Sequence, residues 1–422
     1  MEQYALGEEG AGGSYDDMFD QAAFVGDTET IKPFRLYQYT DIHHDKAAAS
    51  NIENFVGTYR SRIDAILFTG DLVRNVYSES GAKWWREETE LPTFSLFALG
   101  NHDGATADAT EYDTKEGGAA WDGRGKDWDF EQYFADYIES VGYVMPEGYD
   151  DAESPYYHSC FWHKDYADQK IRLIGLDCVH RFDGQVDPET GAIITEGVKH
   201  HTNEQELWFI EKLNETLDSE NDAYGYSVIV ACHYPLDDFN GNNEQWNDNT
   251  HKFVYNQNEG GGRVMSYKTG APANFHLEDV TSVNLSVYFN MRDRDYRAGQ
   301  TPSYAKGTYN NMGEILKYWM EEKGGNFVAW VSGHVHRDYM YYSAQFPNIL
   351  ILACDCAGAL TANHHTKKPQ SSDLNGISNY YSFDTQNGLI KVIRIGHTLN
   401  MYFNSHSYMC YDYINKKVLN EG

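Results

Sequence analysis

Five stretches of apolar residues in this chain each stop on side chains able to hold a metal ion, and this recurrence narrows the available folds more than any other feature. Phe34-Arg35-Leu36-Tyr37-Gln38-Tyr39 alternates as a half-buried strand and runs into Thr40-Asp41-Ile42-His43. Ala65-Ile66-Leu67-Phe68 is a short continuous apolar run that ends on Gly70-Asp71. Thr93 to Leu99 repeats the design and ends on Gly100-Asn101-His102-Asp103. Tyr226 to Cys232 ends on His233-Tyr234-Pro235, and Phe327 to Val331 leads into Gly333-His334-Val335-His336. Runs without a polar alternate are expected of strands covered on both faces. In an open α/β sheet the C-terminal ends of such strands share one edge, where residues distant in sequence converge.

The spacing inside each unit fits the same picture. Asp-x-His and His-x-His place alternate side chains on one side of an extended backbone, so both members reach one site. Imidazole, carboxylate and amide oxygen suit borderline or hard divalent ions such as Mn, Fe or Zn over a soft thiolate site. With His102 set aside, the seven residues Asp41, His43, Asp71, Asn101, His233, His334 and His336 exceed what one tetrahedral ion needs. They fit two ions that share a carboxylate.

Between these units the pattern predicts helices over about 47–61, 203–217 and 311–323, with a further strand from Lys170 to Asp177. Strands are also expected over 348–352, 380–383, 389–395 and 399–403. Two long stretches interrupt this alternation and read as loop-rich insertions, at about 104–168 and 236–307; the first carries one expected helix near 130–141. Residues 1–30 form an acidic, Gly-containing N-terminal segment with little periodicity, and 31–422 read as one elaborated domain.

Charge excludes one class of partner. The chain has 64 acidic and 33 basic residues, a net charge of −31, so it is expected to repel phosphate polymers, and no duplex nucleic acid is expected to bind. A small phosphate ester remains compatible, because two divalent ions would dominate the local potential. With 41% hydrophobic residues the chain is expected to pack rather than stay disordered. No basic leader with an apolar stretch opens it, and no segment has eighteen uninterrupted apolar residues, so no membrane span is expected and a cytoplasmic location is the default. The six cysteines are too scattered for a disulfide framework, and Cys354-x-Cys356 reads as a strand end rather than a soft-metal site.

The order Asp-x-His, Gly-Asp, Gly-Asn-His-Asp, His, Gly-His-x-His, running from Asp41 to His336, resembles the calcineurin-like metallophosphoesterase family. The resemblance implies an α/β fold: a four-layer α-β-β-α sandwich of two mixed β-sheets flanked by helices. It also implies two divalent transition-metal ions, one on Asp41, His43 and His336, the other on Asn101, His233 and His334, with Asp71 bridging. A hydroxide between the ions would attack phosphorus, and His102 would stabilise the transition state or protonate the leaving oxygen. Many members carry an acidic residue or Asn where Arg74 stands, so His102 is left to be oriented by Asp103 or by a backbone carbonyl. The Gly-Asp-x-x-Asp-Arg-Gly pattern of protein serine/threonine phosphatases is absent.

Plainer readings stand beside these. Any single histidine here is more often structural than ligating; only five motifs in series reverse that. His44 reads as a residue behind the site or on the surface, and His200-His201 and His364-His365 as solvated loop residues. Arg74 either grips substrate phosphate or pairs with a surface acid. The expected activity is hydrolysis of a small phosphate ester, with a lean toward diesters or nucleotide-like compounds, because two long insertions would wall a pocket. The rivals are a metal-retaining binding or structural component with little turnover, and a dinuclear hydrolase of amides or lactones. Oligomeric state is not legible from the pattern.

Overall fold

The apolar runs that stop on candidate ligands are all strands, and they divide between two sheets. The computed structural model describes residues 32–43, 45–72, 95–100, 142–148, 160–177, 203–236, 244–247, 252–255, 311–334, 339–343, 346–358, 377–395 and 408–421. The first sheet contains β1 (Phe34–Tyr39), β2 (Ala65–Phe68), β3 (Ser95–Phe97), β12 (Ser378–Asp384), β13 (Leu389–Ile395), β14 (Tyr408–Asp412) and β15 (Lys417–Glu421). Its order is β15-β14-β13-β12-β1-β2-β3. The second holds β4 (Trp162–Tyr166), β5 (Ile171–Leu176), β6 (Ser227–Cys232), β7 (Glu244–Asn247), β8 (Lys252–Tyr255), β9 (Phe327–Ser332), β10 (Tyr339–Tyr342) and β11 (Leu350–Ala353), in the order β4-β5-β6-β9-β11-β10-β7-β8.

Both sheets are mixed. The parallel blocks are β1-β2-β3 in one and β5-β6-β9-β11 in the other, with antiparallel strands completing each sheet. A parallel neighbour needs a crossover, and helices supply it: α1 (Lys46–Tyr59) follows β1, α2 (Asn203–Glu215) precedes β6 and α3 (Asn311–Glu321) precedes β9. Asp45 caps α1 by accepting from the Ala47 and Ala48 N–H groups, both at 3.0 Å, so the helix begins shortly after His43.

Alternation sorts the second sheet's side chains into two cores. Ile171, Leu173, Ile229, Ala231, Val331 and Leu352 face the first sheet, while Ile174, Val228, Val230, Trp330 and Ile351 pack under Trp208, Phe209 and Leu213 of α2 and Ile315, Leu316 and Trp319 of α3. The first sheet's outer face receives Ile52, Phe55 and Val56 of α1, with Phe55 stacked on Tyr37 at 5.2 Å. Each such aliphatic side chain contributes roughly 1.5–3 kcal/mol by leaving water. The result is the expected four-layer α-β-β-α sandwich. Trp162 Nε1 donates to the Phe97 carbonyl at 2.6 Å, and the Tyr342 hydroxyl to the Tyr413 carbonyl at 3.1 Å, linking the two sheets at both sides.

Several expectations need adjusting. β4 lies within the first stretch read as an insertion, and β7 with β8 within the second, so both contribute strands to the second sheet. β10, β14 and β15 were not anticipated, because β pairing is set by distant partners that local alternation does not reveal. The helix expected near 130–141 and the strand expected over 399–403 lie outside the described residues, as does residues 1–30. Among the described residues no helix is long and apolar enough to cross a membrane.

Candidate metal centre

Asp41 and His43 follow β1, Asp71 follows β2, His233 follows β6 and His334 follows β9, so two sheets deliver five residues to one place. One ligand atom from each of Asp41, His43 and Asp71 lies within 4.8 Å of the others, and the same holds for Asp71, His233 and His334. Asp71 belongs to both groups. Its Oδ2 is 3.3 Å from His233 Nε2 and 3.9 Å from His43 Nε2, which in turn lies 3.5 Å from Asp41 Oδ1.

The backbone is unusual here. Asp41, His43, Asp71 and His334 have φ of 52°, 49°, 61° and 67°, in the left-handed region that residues with a Cβ avoid at a cost on the order of 1 kcal/mol each. The turn that creates these angles is held by cross-strand bonds: Asp41 N–H to the Gly70 carbonyl at 2.8 Å and His43 N–H to the Asp71 carbonyl at 3.1 Å. The loop after β11 adds Ala357 N–H to the Thr40 carbonyl at 2.9 Å and Gly358 N–H to the Asp41 carbonyl at 3.1 Å. Cys356 Sγ also donates to the Asp41 carbonyl, at 3.0 Å. Two glycines permit the close approach. A Cβ on Gly100 would overlap the Asp71 carboxylate, and one on Gly333 would overlap the Thr40 hydroxyl.

In Asp41 and His233 the remaining polar atoms are committed in a way that leaves one donor atom aimed inward. Asp41 Oδ2 accepts from the Thr40 hydroxyl at 2.6 Å and from His334 N–H at 3.0 Å, while Oδ1 faces His43. His233 Nδ1 bonds the Thr69 carbonyl at 2.6 Å; a carbonyl only accepts, so Nδ1 carries the proton and the neutral ring would present Nε2 as a lone pair toward Asp71. Orientation of a metal-binding imidazole by its second nitrogen has this form.

Charge points the same way. Asp41 is 0% and Asp71 1% exposed, and two carboxylates so deeply buried require positive charge beside them. In the protein alone His233 answers that demand: burial by itself would push its imidazole down, but Asp71, Asp41 and the Thr69 carbonyl outweigh burial and lift it to about 9. A divalent cation meets the demand more fully, so the donor set fits a metal ion. Asn101, His102, Asp103, Arg74, His44 and His336 lie outside the described residues. Thr40, Thr69 and Gln38 were missed by sequence reasoning, and Cys356 was read only as part of a strand end. Only Gln38 left a signal, as an amide in phase with Phe34 and Leu36 on a buried strand face.

Cys354 follows β11 directly, as expected of a strand end, and neither it nor Cys356 belongs to a metal-competent group among the described residues. Cys160, Cys232, Cys354, Cys356 and Cys410 are buried thiols.

Fold and site together define an α/β sandwich with a candidate metal centre where the parallel strands of both sheets end. No family model matches the chain, and neither does any curated protein. Among solved structures the chain is similar to a purple acid phosphatase isolated from yellow lupin (Lupinus luteus) seeds, at 12% identity and a TM-score of 0.39. That alignment covers 93% of this chain and 53% of the lupin chain, so this chain spans about half of that protein's length. PhoD aligns at 10% identity and a TM-score of 0.44, covering 93% of this chain and 73% of its own. GAP50, the anchor in the inner membrane complex of Plasmodium, aligns at 10% identity and a TM-score of 0.39, covering 92% and 90%.

Proposed function

We propose that this protein is a metal-dependent hydrolase of phosphate esters, acting on a small phosphodiester or nucleotide-like substrate. The observation that carries the reading is the buried Asp71 carboxylate shared by two groups, the acid–histidine pair Asp41–His43 and the histidine pair His233–His334. One ligand group would be Asp41, His43 and His336, the other Asn101, His233 and His334, with Asp71 common to both. Two ions of Mn, Fe or Zn, when bound, would supply acidified water and positive charge for the phosphoryl oxygens. The protein's own part is to hold the donors: the Thr69 carbonyl keeps His233 in one tautomer, and Thr40 and His334 N–H keep Asp41 in one rotamer. His102 would stabilise the transition state or protonate the leaving oxygen, oriented by Asp103 or by a backbone carbonyl, while Arg74 would bind substrate phosphate or pair with a surface acid and His44 would stand behind the ligands or on the surface. The domain would span 31–422, with residues 1–30 as a separate acidic segment.

Metal analysis of the purified chain together with a panel of phosphomonoesters and phosphodiesters tests this. About two transition-metal ions per chain are expected. Hydrolysis should be lost in Asp71→Asn together with most of the metal, and lost in His102→Ala with the metal retained. A folded chain that takes up no metal and cleaves no ester would overturn the proposal.

A further inference from the structure

We infer that Gln38 is a positioning residue that sets the spacing between the two halves of the metal centre. The inference rests on reading the site as a two-ion centre. Asp41, His43 and Asp71 hang from the first sheet, and His233 and His334 from the second, so the distance between the sheets decides whether Asp71 reaches both groups. Between the sheets the packing is mostly apolar, and apolar contact is non-directional. Gln38 adds direction. It lies on β1 at 0% exposure, in phase with Phe34 and Leu36 on the face turned to the second sheet.

Its Nε2 donates to two acceptors, Thr69 Oγ1 at 2.9 Å and the Ser332 carbonyl at 2.8 Å. Thr69 stands two residues before Asp71 and its carbonyl orients His233; Ser332 stands two residues before His334 and belongs to the other sheet. One amide therefore ties together the segments that lead into both ligand groups, through the Thr69 hydroxyl on one side and the Ser332 carbonyl on the other. Its orientation is fixed, because the Ser332 carbonyl accepts only and so must face Nε2. At the other end Oε1 accepts from the Tyr381 hydroxyl at 3.0 Å, and that hydroxyl accepts from Asn379 Nδ2 at 3.0 Å. The relay Asn379 to Tyr381 to Gln38 runs in a single direction of donation, so the amide has no second arrangement that keeps its bonds.

Mn2+ alone is the probe, with affinity read by titration calorimetry and ion spacing by the exchange-coupled paramagnetic resonance signal of a Mn pair. Gln38→Leu should weaken Mn2+ binding about tenfold or more, the usual effect of losing a group that orients ligands, and should diminish or shift the coupled signal at saturation. Tyr37→Phe is the control: it removes an equally buried bond, Tyr37 hydroxyl to Ser378 Oγ at 2.8 Å, on the opposite face of the same strand. It should leave both readouts unchanged even if it lowers the melting temperature as much. Tyr381→Phe, which frees Oε1 but keeps the ring, should show a smaller loss in the same direction and carries the test if Gln38→Leu fails to fold. Wild-type affinity and coupling in both Gln38→Leu and Tyr381→Phe, or losses no larger than those of Tyr37→Phe, would overturn the inference alone. A wild-type chain that binds a coupled Mn pair but hydrolyses no ester would overturn the proposed function and leave this inference standing. A wild-type chain that binds no Mn2+ would overturn this inference, and one that takes up neither Mn2+, Fe2+ nor Zn2+ and cleaves no ester would overturn both.

Discussion

Four of the five residues gathered at the centre sit at left-handed φ, and only two other non-glycine residues among those described, Lys170 and Lys416, do so. Conformational energy is thus concentrated where the donors are, held by the bonds from Gly70, Asp71 and the 354–358 loop. His334, at φ 67°, tests this directly. Neither glycine nor alanine can bind metal there, yet metal-free His334→Gly should be more stable than His334→Ala by about 1 kcal/mol in urea unfolding, because only alanine keeps the Cβ penalty. Equal stabilities would contradict the geometry. A second residue bears on pH. His163, buried on β4 and 6.0 Å from the Trp208 ring, is pushed down to about 4 by burial and by the Arg172 guanidinium. Its pKa is then lower folded than unfolded, so the unfolded chain binds the extra proton between about 6.5 and 4. Stability from this group is complete above pH 6.5 and declines as pH falls toward 4, by at most about 3 kcal/mol. Urea midpoints of His163→Gln should fall less than wild type between pH 7 and pH 4.5; parallel declines would show that His163 is not responsible.

The strand ends that carry donors need contact closer than a side chain allows, and glycine supplies it beside Asp71 and Asp41. A Cβ on Gly333 would strike the Thr40 hydroxyl and lie 2.9 Å from Asp41 Oδ2. Gly333→Ala should therefore cost about 2 kcal/mol and weaken metal uptake, since the end of β9 must back away from β1. Gly57, in α1, has nothing within 4 Å of the same added atom. Gly57→Ala should stabilise the protein by up to about 1 kcal/mol through lower backbone entropy, with metal content unchanged. Thermal melts and metal analysis of the two variants separate a glycine kept for space from one without that need.

Across the molecule, the two sheets pack as one sandwich whose candidate centre lies where both parallel blocks end, and two nearly unexposed carboxylates stand at that junction. A cation that binds only the folded chain stabilises it by mass action, about 4 kcal/mol at a thousandfold excess over Kd. Treatment with a chelator should lower the melting temperature, and restoring Mn2+ or Zn2+ should recover it; Asp71→Asn should show little response to either. An unchanged wild-type melt would mean that the buried carboxylates are balanced by imidazolium alone.

Much of this arrangement could be read before any fold was known. Buried strands write themselves as unbroken apolar runs, and a polar residue at the end of such a run has an evident reason to be there, which is why Asp41, His43, Asp71, His233 and His334 were legible and are found together. The sandwich's antiparallel strands were less so: β7 and β8 sit in an Asn- and Gly-rich stretch and are strands because β10 offers β7 an edge and β7 in turn offers one to β8. Gln38 was missed, since a buried amide acquires meaning only from acceptors 31 and 294 residues away. Local pattern therefore determined which residues stand at strand ends, because burial and alternation act within a few residues. Which ends meet, which oxygen of Asp41 faces inward and which residue spans the sheets depended on contacts between distant segments, and those exist only once the two sheets have closed on each other.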